Sequence, residues 1–241
     1  MSRALLVVCL CALAAAGCGG VTSSDSAKDD GDASAAPFSL EKRQAGALAQ
    51  SMLIRPADLP QWIRKAGEND SVENRKLPKA CKRLGEPPRG WIMGEAESPI
   101  FAKFPERAFV ASGAALFETE EKARRAFARM VRAARSKQGQ ECFLASARSG
   151  GAGAGISFDR PRVRKLGYRL ADRSWGFRWT LRVRGDSGSK MYLTLVFLQE
   201  RQADSFVLTG RFTEPFEREL EMRLGRLVAK RMRVAQDAQA S

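Results

Sequence analysis

Residues 174–184, "SWGFRWTLRVR", decide how the rest of the chain is read. Trp175, Phe177, Trp179, Leu181 and Val183 recur at every second position, with Gly176, Arg178, Thr180, Arg182 and Arg184 between them. A strand turns alternate side chains to opposite faces, so this period makes one face core and the other polar and basic. Such a half-buried strand belongs to an antiparallel sheet, and its tryptophans read as core.

Working outward, Asp186, Ser187 and Gly188 turn the chain, "MYLTLVFLQE" (191–200) supplies a hairpin partner and "SFVLTGRF" (205–212) a third strand. Upstream, "RVRKLGYRL" (162–170) and "AFVASGAALF" (108–117) read as further strands. Three helices show the 3.6-residue period. The first follows Ser39 as cap and Glu41, carries Ala45, Leu48, Ala49, Met52 and Leu53, and ends before Pro56. The second is capped by Thr119 and runs to about residue 137, with Ala123, Phe127, Met130, Val131 and Ala134 on one side. Thr213 is expected to cap the last, whose stripe is Phe216, Leu220, Leu224, Leu227, Val228 and Met232. Residues 66–93 are polar and punctuated by Pro and Gly, and "SGGAGAG" (149–155) reads as a loop. The fold class is therefore α+β: a mainly antiparallel sheet packed with amphipathic helices, an α/β sandwich, with one disulfide.

The chain has 241 residues. Residues 1–17 read as a signal peptide: Arg3 is the basic start and Ala4 to Ala16 an apolar run too short to cross a bilayer. Ala15-Ala16-Gly17-Cys18 resembles the lipobox of bacterial lipoproteins, in which cleavage precedes the cysteine and its thiol and new amino group take fatty acyl chains such as palmitate. The other reading is plain secretion. Residues 18–38 would be the lipidated Cys18 and a Ser/Asp/Gly/Ala tether reaching about 25 Å, and residues 39–241 a single extracytoplasmic domain. Cys9 and Cys11 leave with the signal, so Cys81 and Cys142 remain. An even pair in an oxidising compartment is expected to be bridged.

Histidine is absent. That excludes Ser-His-Asp and Cys-His catalysis, HExxH sites and His-ligated zinc. The expectation is a protein that is not an enzyme and takes no metal or cofactor. Any catalysis would run on carboxylates, Lys, Tyr or Cys, and Glu95 and Glu97 beside Ser98 are the cluster a carboxylate-based envelope hydrolase would use. Net charge is +14; residues 1–40 hold two bases and four acids, so the remainder carries +16. Such a surface attracts anions. Arg178, Arg182 and Arg184 lie on one strand face, Arg182 and Arg184 about 7 Å apart and Arg178 about 13 Å from Arg182, and Arg160, Arg162 and Arg164 continue it if their strand is adjacent. Arginines so placed grip phosphate or carboxylate bidentately. The competing reading is a solvated face balanced by Glu and Asp from a covering helix. Nucleic acid is not the expected partner, because the compartment is wrong and no stacking platform is evident. The glycines at 149–155 lack the GK[ST] ending of a phosphate cradle.

Several of these pieces together resemble a known family: "LIRPADLP" (53–60) before Trp62, Cys81, "ESPIFAKF" (97–104) leading to "AFVASGAALF", Cys142, the aromatic-arginine strand and the closing helix. In this order they are similar to the PknH-like extracellular sensor domain of actinobacterial lipoproteins and receptor kinases. The resemblance covers roughly residues 45–232. It implies an α/β sandwich with a cleft, a disulfide-stabilised core, a role in sensing or binding a ligand, and no catalytic residues. Family members often carry a second disulfide, for which this chain lacks cysteines. The function expected is thus a lipid-anchored envelope protein, facing outward from the cell membrane, with a non-catalytic sensor-like domain. The alternatives are an electrostatic binder of anionic lipid or wall polymer, and the carboxylate hydrolase.

Overall fold

The strand at 174–184 forms as its alternation requires. In the computed structural model, which describes residues 42–65, 81, 84–152, 162–183 and 189–240, it is β6 of eight strands. They are β1 (Ile63–Lys65), β2 (Ile92–Glu97), β3 (Ile100–Lys103), β4 (Ala108–Phe117), β5 (Arg162–Leu166), β6 (Arg173–Arg182), β7 (Lys190–Glu200) and β8 (Ala203–Phe212). They make one sheet in the order β1-β3-β4-β8-β7-β6-β5, with β2 also on β4, and every pairing is antiparallel. Because β8 occupies the other edge of β4, β2 and β3 follow one another along its free edge. The step between them falls at Ser98-Pro99, where Ser98 N–H donates to Ser112 O (2.8 Å) and Ser112 N–H to Ser98 Oγ (2.9 Å).

Among the described residues four α-helices cover the two sheet faces, giving three layers. On one face lie α1 (Lys42–Ser51) and the final helix α4 (Arg218–Ala240); on the other lie α2 (Glu120–Arg135) and α3 (Lys137–Ala152). The first core joins Ala45, Ala49, Met52 and Leu53 to Val110, Val196, Val207, Leu224, Val228 and Met232. The second joins Phe127, Phe143 and Leu144 to Phe109, Phe177, Trp179, Leu181, Leu193 and Leu195. Trp179 stacks on Phe143 with centroids 3.7 Å apart and meets the edge of Phe177 at 3.7 Å. Trp62 is half-buried against Phe216, centroids 6.0 Å apart. The α1 backbone rests directly on Gly94: a Cβ there would stand 2.3 Å from the Ala45 carbonyl carbon.

"LIRPADLP" is a clamp between α1 and α4. Arg231 donates to both Asp58 carboxylate oxygens (2.6 and 2.9 Å) and to Leu53 O (2.7 Å), while Asp58 Oδ2 also accepts Arg55 N–H (2.7 Å). Burial would raise the Asp58 carboxyl, but these donors and their charge outweigh it and hold it below the usual range.

Several boundaries differ from the sequence expectation. Thr119 caps α2, accepting Lys122 N–H, but Thr213 caps nothing. Its φ is 72°, its N–H donates to Lys190 O, and α4 begins only at Arg218, beyond Pro215. Proline has no N–H and fixes its own φ, so helix starts after it here. The helix after α2 was not anticipated. Ser136 breaks the run at an extended ψ of 153° and its Oγ accepts Gly139 N–H, opening α3. That helix continues to Ala152, so residues 149–152 are helical where a loop was expected; 153–155 lie outside the described residues. β5 ends at Leu166, not 170; beyond it the Tyr168 ring lies over Gly176 of β6. The irregular stretch ends at Trp91, since β2 starts at Ile92. Cys18, the tether, Ser39, Glu41, Arg160, Arg184 and the 186–188 turn also lie outside the described residues.

Cys81 and Cys142 are bonded, with Cα atoms 5.4 Å apart across 61 positions, and the bond ties the segment before residue 84 to α3. A loop of that length stabilises the fold by about 4 kcal/mol in the chain-entropy model.

Candidate anion-binding face

The face of β6 turned away from the aromatic core looks toward α4, and cross-strand register sorts its side chains into rows. One row runs Arg164, Arg178, Thr194, Thr209 across β5, β6, β7 and β8; the next runs Arg162, Thr180, Tyr192, Arg211; beyond it Arg182 stands opposite Lys190. The rows differ in what α4 does to them.

Arg178 lies under the helix. It donates to both Glu221 carboxylate oxygens (3.1 and 2.9 Å) and, through Nε, to Thr194 Oγ1 (2.9 Å). Glu221 also accepts from Tyr168 Oη (2.8 Å) and Thr209 Oγ1 (3.0 Å), and its side chain is fully buried. Tyr168 reaches this point because its ring lies over Gly176, where a Cβ would stand 2.7 Å from the ring. Burial, then the Glu221 charge and hydrogen bond, push the Tyr168 hydroxyl far above its ordinary range, so it is a fixed donor. Arg178 is thus corrected from a candidate anion grip to the partner of a carboxylate supplied by the covering helix.

Past the start of α4 the face is open. Arg162, Arg164, Arg182 and Lys190 are all exposed. None of the four has an acidic partner among the described residues. Arg182 and Lys190 are directly opposed like charges, which costs stability unless an anion sits between them. Thr180 and Tyr192 lie half-buried between the cations. Arg211, at the β8 end, is neutralised by Glu214 (2.6 Å) and Glu217 (3.7 Å). The open part can hold a polyvalent anion along the β5–β7 end of the sheet.

The structure places Arg162, Arg164 and Arg182 exposed on the same face as Arg178, which α4 covers, and adds Lys190 and Tyr192, which neighbour β6 only through strand pairing. Glu221 was legible as an acid on the α4 stripe three residues before Leu224, a position that needs a buried partner.

Glu95 and Glu97 share one face of β2, opposite Ala115 and Gly113. Burial raises both carboxyls, and the Glu97 charge adds to the rise at Glu95. Ser98 is buried, and its hydroxyl donates to Pro99 O while accepting Ser112 N–H. That commits it to the β2–β3 step. Among the described residues no group of three His, Cys, Asp or Glu side chains is placed to hold a metal ion, and no helix is long and apolar enough to cross a membrane.

No protein-family model matches the chain, and no curated protein does. Among solved structures it is similar to the extracellular domain of PknH from Mycobacterium tuberculosis, with a TM-score of 0.34 and 11% sequence identity. That likeness covers 57% of this chain and 62% of the other, so the chain spans less than two thirds of the neighbour's length.

Proposed function

We propose that this chain is an extracytoplasmic protein held to the outer face of the cell membrane through acylated Cys18, whose folded domain is a non-catalytic binding module for anionic surfaces. The observation that carries the binding role is the exposed cluster of Arg162, Arg164, Arg182 and Lys190 on one sheet face, with no acidic partner among the described residues and with Arg182 and Lys190 opposed. A protein under selection for stability alone would interleave acids there, as it does for Arg178 and Arg211. The chemistry recognised is phosphate or carboxylate repeated along a lipid or polymer surface. The address rests on the lipobox-like run at 15–18 and the Ser/Asp/Gly/Ala-rich sequence that follows it.

Two measurements test this. Mass spectrometry of the mature N-terminus should find an acylated cysteine at position 18; an unmodified, freely released protein removes the anchor. The purified protein should bind phosphatidylglycerol vesicles or soluble polyphosphate, weakening steeply as salt rises. Replacing Arg162, Arg164 and Arg182 together with Gln should cost on the order of 3 kcal/mol, at about 1 kcal/mol per basic residue near an anionic surface. Vesicle binding without polyphosphate binding identifies lipid as the source, and the converse identifies polymer. Binding to both that ignores salt and the triple substitution rejects the proposal.

A further inference from the structure

On the opposite side of the sheet a groove of ≈ 640 Å³ opens between the 84–88 segment and the junction of α2 and α3. One wall is Leu84, Gly85, Pro87 and Pro88; the other is Arg129, Arg132 and Ala133 of α2, closed by Ser136 and Gln138. Arg129 and Arg132 are three residues apart on one helix and share a side. Arg129 donates one N–H to Glu86 O across the groove (3.2 Å). Arg132 is exposed and makes no ion pair with a described residue. Among the described lining residues, these two guanidiniums stand across from one carboxylate, Glu86, on a wall otherwise made of Leu84, Gly85, Pro87 and Pro88.

The walls are fixed relative to each other. Gly85, at φ +87°, sits so close to α2 that a Cβ would stand 3.0 Å from Ala133 Cβ, and the Cys81–Cys142 bond joins the stretch before one wall to α3 behind the other. The volume falls within the range of small-molecule sites.

We infer that this groove is a second, separate binding site, for a small monoanion with a short apolar body, such as a medium-chain carboxylate. The anionic head pairs with Arg132 and Arg129, and the apolar body lies on Leu84, Pro87 and Pro88. It does not depend on the basic sheet face, which lies across the sheet.

The test is isothermal titration of the full mature chain with octanoate and with octanol. Octanoate should bind saturably and at least tenfold more tightly than octanol. Arg129→Gln with Arg132→Gln should weaken octanoate at least tenfold, while Arg125→Gln, which removes one exposed charge elsewhere on α2, should leave it unchanged. Cys81→Ser with Cys142→Ser should also weaken it if the chain remains folded by circular dichroism. No saturable octanoate binding, equal binding of octanol, or indifference to the paired arginine substitution overturns the assignment.

Discussion

At the scale of single residues, two acids show how burial divides into paired and unpaired cases. Glu221 is fully buried with Arg178, Tyr168 and Thr209 around it. Glu221→Ala leaves a partly buried guanidinium and two hydroxyls without their acceptor, and is expected to cost about 3 kcal/mol in urea unfolding at pH 7. A loss under about 1 kcal/mol would show that the network contributes little. Asp204, by contrast, is 6% exposed, and its Oδ1 has no partner. Burial lifts its carboxyl well above the ordinary aspartate range. Glu200, at the same hairpin end, is pushed up to about 7 by burial and by the charge of Asp172, against the opposing pull of Arg233. A carboxyl raised on folding leaves the folded state with more protons than the unfolded chain. The stability contributed by these two carboxyls is therefore full below pH about 4, the ordinary range for these acids, and is lost as pH rises toward and beyond 7. Asp204→Asn should raise the melting temperature at pH 7.5 and leave it unchanged near pH 3.5. An equal effect at both pH values would refute the assignment.

At the scale of elements, the largest constraint is the disulfide. It bridges a stretch with little regular structure among its described residues to α3, a helix whose start depends on one serine cap. Removing it by Cys81→Ala with Cys142→Ala is expected to lower stability by up to about 4 kcal/mol, read by denaturant unfolding. Loss of a few tenths would mean that the reduced unfolded chain is already compact. α4 is fixed at both ends by polar contacts: near its start by Glu221 on the sheet, near its end by Gln236. The Gln236 amide donates to Glu200 O (3.0 Å) and accepts Gln202 N–H (2.9 Å). These contacts give the helix one register over the sheet, which in turn decides which arginines are covered.

At the scale of the whole molecule, the net charge is distributed by the layers. On this sheet face, acids from α4 and the segment before it neutralise Arg178 and Arg211, and Arg162, Arg164, Arg182 and Lys190 stay exposed. Alternation and helical period alone determined the strands at 108–117, 174–183, 191–200 and 205–212 and the apolar stripes of three helices. Those signals are local, set by how a strand or a helix presents successive side chains. The even cysteine pair likewise announced its own bond. Period could not reveal α3, whose glycine-rich end reads as loop and whose anchors, Phe143 on Trp179 and the disulfide, are contacts distant in sequence. Nor could it divide the basic face. The residues at 162, 164, 178 and 182 carry the same charge and similar spacing, so their sequence makes them one set. Only strand order and the placement of α4 over Thr194 and Thr209 decided that Arg178 is a structural partner while the others meet solvent. Which charges are paired is settled by non-local packing, and no local pattern encodes it.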